Sequence, residues 1–116
     1  MRVKTEKLGK VTLITLSGKL NTEASQELKD ELYATCEAAP GHTLIDMKNV
    51  TYVSSYLIGV LVGSHKLLKK SGGDLHLSGL SPQLRTVLDV SGLTDVFPNH
   101  ETREAGVAHF DTSTTA

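Results

Sequence analysis

Apolar residues change their spacing several times along the chain, and each change marks an element. Val3–Leu8 and Val11–Ser17 are rich in β-branched and apolar residues. Leu8-Gly9-Lys10 separates them, the pattern of a hairpin whose glycine supplies a positive φ. Ser17-Gly18-Lys19-Leu20-Asn21 breaks the alternation. Thr22 then offers a capping oxygen, and Glu23 suits the positive end of a helix dipole. Behind them Ala24, Leu28, Leu32, Cys36 and Ala39 recur at helical spacing until Pro40-Gly41. Thr43–Met47 is a short apolar run between turn residues, which predicts a buried strand. Lys48–Val53 leads into a second helix that starts near Ser54 or Ser55 and runs to about Lys70. Its apolar face is Leu57, Leu61, His65 and Leu68, supported by Ile58 and Val62, and Gly72-Gly73 stops it.

Asp74–Ser78 alternates as the next strand. Ser81-Pro82 reads as a cap with proline at the first helical position, ahead of Leu84, Val87, Leu88 and Ser91 on one face and Gly92 at the end. Val96-Phe97 begins a short last strand. Glu101–Phe110 forms a final helix, weakened by Gly106, and Asp111–Ala116 lacks apolar anchors and is expected to fray. The order β-β-α-β-α-β-α-β-α predicts an α/β fold: a mixed, mostly parallel sheet of about five strands with about four helices. One domain is expected over residues 1–110, with a flexible tail over 111–116.

Composition narrows the function. Apolar residues make up 39% and charged residues 22% of the 116 positions, so neither a metal nor a disulfide is needed to supplement the core. Net charge is −1, and the one local basic cluster, Lys66, Lys69 and Lys70, reads as a solvated helix face; direct nucleic-acid binding is not expected. The sole cysteine, Cys36, excludes an internal disulfide framework and occupies an apolar helix position that suits a buried structural thiol. The charged N-terminus has no long apolar segment behind it, and the stretch around Val60–Val62 is too short to span a bilayer. A soluble cytoplasmic protein without membrane insertion is expected.

No constellation for catalysis stands out. None of the five histidines (His42, His65, His76, His100, His109) pairs at a zinc-site spacing, and His65 belongs to a helix's apolar stripe. Asp46 has no carboxylate partner nearby and reads as a strand-end residue hydrogen-bonding a loop. Gly59–Lys66 lacks the order of a phosphate loop and lies inside a helix, whose amides are already bonded. Gly59 and Gly63 share one helix face, which suits close packing first and a partner's approach second. No cofactor is expected.

Tyr52-Val53-Ser54-Ser55-Tyr56-Leu57-Ile58-Gly59 raises the question of function. One serine suffices to cap a helix; two, followed by an exposed Tyr56, exceed what capping needs. Phosphorylation here would add about −1.5 to −2 charges at the positive end of a helix. The fold tolerates that charge, while a partner packed on the same spot does not.

From its first hairpin to about Phe97 the chain resembles a STAS domain, the fold of the bacterial anti-sigma factor antagonists. The resemblance rests on the order of Gly18-x-Leu20-Asn21, Leu44-Ile45-Asp46-Met47, Val50-Thr51-Tyr52-Val53, Ser54-Ser55, Gly59-Val60-Leu61, Gly72-Gly73-Asp74-Leu75, Leu80-Ser81-Pro82 and Val90-Ser91-Gly92-Leu93. In the family the second helix opens with Asp-Ser-Ser/Thr-Gly-Leu, and the residue after the Asp is phosphorylated. Alignment puts Ser54 at the Asp, Ser55 at the acceptor, and Tyr56 and Leu57 at the small residue and glycine; Asn21 stands where an Asp is common. The resemblance implies partner switching. An unphosphorylated antagonist binds an anti-sigma factor that is also a serine kinase, phosphorylation at Ser55 breaks the complex, and a serine phosphatase restores it. Asn21, Thr22, Ser54, Tyr56 and Leu57 would form the partner-binding surface, and the chain would be a substrate, not an enzyme. An alternative is a non-phosphorylated STAS docking subunit of a larger assembly, such as a lipid-transport ATPase complex, with Tyr56-Leu57 as anchors. Oligomeric state is not legible.

Overall fold

The computed structural model describes residues 2–38 and 41–114, the last four by backbone alone. The chain opens with the expected hairpin. β1 (Arg2–Leu8) pairs antiparallel with β2 (Val11–Leu20), and Gly9 takes the turn at φ 62°. After α1 (Thr22–Ala38), every further strand lies parallel to its neighbour: β3 (His42–Val53), β4 (Asp74–Ser78) and the two-residue β5 (Asn99–His100). Helices α2 (Ser55–Lys70) and α3 (Pro82–Val90) make the crossovers, and α4 (Arg103–Thr114) closes the order. The sheet runs β1-β2-β3-β4-β5 in sequence. Crossovers that share one hand and step in one direction must fall on one face, so α1, α2 and α3 cover the same side. Ile14, Leu16, Ile45, Met47, Leu75 and Leu77 meet Leu28, Leu32, Leu57, Leu61 and Leu84 there. Among the described residues the opposite face receives only α4, over the small cluster Val11, Leu13, Leu44 and Phe110.

Several sequence-based boundaries move. β2 continues through Leu20 and β3 through Val53, because irregularities at Thr15/Ser17 and Gly18/Lys19 each insert a residue into β3. Those shifts turn Lys48 and Asn49 outward and disguise a strand as a loop. Val96-Phe97 is not strand; Phe97, 1% exposed, plugs the core from a turn, and β5 begins two residues later. On α3 only Leu84 and Leu88 are buried, while Val87 and Ser91 face outward. α4 extends past Phe110 to Thr114, so its backbone takes in most of the expected tail. Ala39, Pro40 and residues 115–116 lie outside the described residues.

Asp46 is also not a strand-end residue. It sits inside β3 at 2% exposure and accepts Arg103 Nη2 at 2.6 Å, Arg103 Nε at 2.9 Å, Ser78 Oγ at 3.2 Å and the Lys48 amide at 3.1 Å. A carboxylate under the sheet needs such a partner set, and it pins the first turn of α4 to the sheet. Cys36 is buried, and burial raises its thiol pKa above the ordinary value, as suits a structural residue.

Two glycines are explained by close approach. A β-carbon on Gly63 would overlap the Tyr33 hydroxyl of α1, and one on Gly106 would come within 2.6 Å of Leu44 Cδ2 beneath α4. Gly59 has open space around it. Gly59→Ala should therefore raise stability by about 0.5–1 kcal/mol through helix propensity, whereas Gly106→Ala should lower the urea midpoint by displacing α4. Replacing Arg103 with Met leaves Asp46 short of its counter-charge. The loss should lie at the lower end of about 3–5 kcal/mol, because a third of the Arg103 side chain is in water.

Candidate functional site

Parallel pairing brings two helix starts together. Leu20 of β2 is the register partner of Val53 of β3, so the next residues, Asn21 and Ser54, stand side by side at the carboxyl edge of the sheet. Each caps the helix that follows. Asn21 Oδ1 accepts the Ala24 amide at 2.9 Å, a role the sequence suggested for Thr22, which instead is the first residue of α1. Ser54 Oγ accepts the Leu57 amide at 3.3 Å. The Ser54 amide donates to Leu20 O at 2.9 Å, which locks the cap to the end of β2.

Beneath the caps lies a chain of hydroxyls. Ser25, fully buried, donates to Leu20 O at 3.2 Å, and its Oγ lies 3.2 Å from Ser54 Oγ. With the Ser25 proton on Leu20, Ser54 donates to Ser25 while it accepts from Leu57. The two helices are thus tied at their first turns by uncharged groups. Ser25 escaped the sequence reading, although with Leu28, Leu32 and Cys36 it forms the buried stripe of α1. Ala24, assigned to that stripe, is only half-buried.

Ser55 is exposed and is the first residue of α2, and its hydroxyl makes no hydrogen bond among the described residues. Asn21 and Thr22 are exposed beside it, and Tyr56 is half-buried against the core. Two of the expected contact residues are not at the surface. Leu57 is 0% exposed because the helix turns it onto the sheet, and Ser54 is 6% exposed because it caps. The large apolar side chain this edge offers is Tyr52, 48% exposed, with Lys19 Nζ 5.6 Å from its ring centroid. Lys19 was not singled out from sequence, since only the β2–β3 register places it opposite Tyr52.

No acidic residue lies in the first turn of α2, so the partial positive charge of its N-terminus is unopposed there. The arrangement can present a hydroxyl to an incoming phosphoryl group. Among the described residues no side chain hydrogen-bonds that hydroxyl as an activating base would, and no three His, Cys, Asp or Glu side chains are placed to hold a metal ion. No helix among them is long and apolar enough to cross a membrane. Ser54→Ala should cost about 1 kcal/mol of stability and speed amide exchange in the first turn of α2, whereas Ser55→Ala, which removes no hydrogen bond, should leave the melting temperature nearly unchanged.

The STAS domain family model matches residues 2–106. The chain is 32% identical over 94 residues to the anti-sigma-B factor antagonist of Bacillus subtilis, covering 81% of this chain and 85% of that one. It is 29% identical over 113 residues to BtrV, a candidate anti-sigma factor antagonist of Bordetella bronchiseptica, covering 97% of each. Among solved structures it superposes on the Bacillus cell fate determinant SpoIIAA in the phosphorylated form with a TM-score of 0.74 at 20% identity, over 93% of this chain and 98% of that one. On these grounds the chain belongs to the STAS domain family and, within it, to the anti-sigma factor antagonists.

Proposed function

We propose that this chain switches partners at Ser55. Unphosphorylated, it binds an anti-sigma factor that is also a serine kinase; phosphorylated at Ser55, it lets that partner go, and a serine phosphatase resets it. The chain is the substrate in this cycle, acts in the cytoplasm, and carries no catalytic group of its own. The observation that supports this reading is a free, exposed hydroxyl at the first position of α2. It is set among two adjacent helix starts and an exposed Tyr52.

The electrostatics favour a switch at this point. A phosphate on Ser55 lies at the positive end of α2 with no carboxylate in that turn to repel it, so the domain keeps its fold. The same dianion, pressed against a partner's surface, loses its water without a counter-charge. Ser54 is an unsuitable acceptor, because its oxygen is buried and already engaged with Leu57 and Ser25. The contact surface is Asn21, Thr22, Ser55 and Tyr56, extended by Tyr52. The docking-subunit alternative relied on Tyr56 and Leu57 as anchors; Leu57 is fully buried and supplies none, and Tyr56 is half-buried.

Peptide mass spectrometry of the protein isolated from its native cell, with and without phosphatase, should find one phosphate on Ser55. A phosphate mapped elsewhere, or none under several stresses, overturns the reading. Ser55→Asp should weaken the antagonist–kinase complex by thirtyfold or more, a loss of about 2 kcal/mol or greater, and Ser55→Ala should retain the complex.

A further inference from the structure

On the face of the sheet opposite α2, the last helix is held by rings as well as by a small aliphatic cluster. His76 of β4 is 4% exposed, and its Nδ1 lies 2.9 Å from His100 Nε2 of β5. The ring of His109, on α4, has its centroid 5.2 Å from that of His76 and 5.1 Å from that of His100. Phe110 of α4 packs 4.2 Å from His76 and stacks at 4.6 Å on His42 of β3.

A 2.9 Å contact between two imidazole nitrogens needs one N–H and one bare nitrogen. The second nitrogen of His76, Nε2, faces Asp74 Oδ2 at 3.4 Å and donates to it. His76 Nδ1 is then the bare acceptor, and His100 Nε2–H is the donor. A proton on His76 Nδ1 requires His100 to carry its own proton on Nδ1 instead, and once both rings are charged two N–H groups stand head to head. Asp74 is the carboxylate facing His76, and it is shared with Lys69 at 3.5 Å and His65 at 3.6 Å from α2. His100 and His109 add like charge whenever they are protonated. At the other end of α4, Arg103 is anchored on Asp46.

We propose that α4 is a clasp released by acid: protonation of the buried His76, on which His109 and Phe110 pack, frees that end of the helix from the sheet, while the core under α1, α2 and α3 stays folded. Release uncovers Val11, Leu13 and Leu44, the apolar floor on which Phe110 sits. The clasp lies on the face away from Ser55 and does not depend on phosphorylation.

The sign and size follow from linkage. Burial, reinforced by His100 and His109 and opposed by Asp74, pushes the His76 pKa down from 6.5 to about 4. Burial and His109 lower that of His100 as well. Above pH 6.5 the docked and released states bind the same protons. Between 6.5 and about 4 the released state takes up a proton that the docked state refuses, so docking weakens as pH falls. For His76 alone, with release restoring its ordinary value of 6.5, the opening constant of α4 should rise about twentyfold from pH 7 to pH 5.

Hydrogen-exchange mass spectrometry on the full chain at these two pH values, corrected for intrinsic exchange, tests this. Peptides of α4 should lose about twentyfold in protection while those of α1 and α2 hold theirs. His76→Leu should keep α4 protected at pH 5, and His76→Phe should do so if the first variant does not fold. Protection of α4 that is independent of pH, or an equal loss in α1 and α2, overturns the proposal.

Discussion

The structure turns on the register of one strand pair. Because Leu20 lies opposite Val53 in parallel strands, β2 and β3 end at the same edge and their helices begin at the same point. Two positive helix ends are costly neighbours unless their free amides find acceptors. Asn21 and Ser54 supply those acceptors, and Ser25 bridges beneath them. Among the groups that surface at that edge is the uncommitted Ser55 hydroxyl. A change in register would separate the caps and remove the surface altogether.

The neutrality of this junction has a chemical consequence. The STAS motif places an aspartate where Ser54 stands, and a carboxylate would cap α2 more strongly while repelling a phosphate on the next residue. Here a serine performs the capping with no charge, and Ser25 keeps its hydroxyl oriented. The cap gives up some electrostatic stabilisation of α2, and the phosphorylated form is not opposed by an acidic residue in the first turn of that helix. Tyr56 contributes bulk that is partly turned inward, so the acceptor stays accessible although the residues after it are large.

Periodicity made the element order and the Ser54–Ser55 junction legible, because each helix carries its own stripe and each parallel strand is an apolar run. Features that depend on contacts between distant segments were hidden. The continuation of β3 through Lys48 and Asn49 follows from insertions that only the pairing with β2 reveals. Leu57 looked like a surface anchor by its place in a motif, yet a leucine three residues after a cap faces the sheet. Val96-Phe97 has strand composition, but Phe97 fills the space under α2 beside His65, with ring centroids 5.7 Å apart. Asp46 is a lone carboxylate in sequence and gains its meaning from Arg103, 57 residues away.

The two faces of the sheet are stabilised by different physics, and this divides the molecule's responses. On the α1–α3 face, leucines and isoleucines from three strands and three helices interdigitate. On the other face α4 must approach closely enough that Gly106 lies over Leu44, and it reaches beyond a four-residue apolar cluster through Arg103 and His109. Ionic and imidazole contacts respond to solvent conditions in a way that aliphatic packing does not. An element held in this manner can open while the rest of the domain stays intact. The surface that carries Ser55 is built on the aliphatic side, so its geometry is insulated from whatever happens to α4.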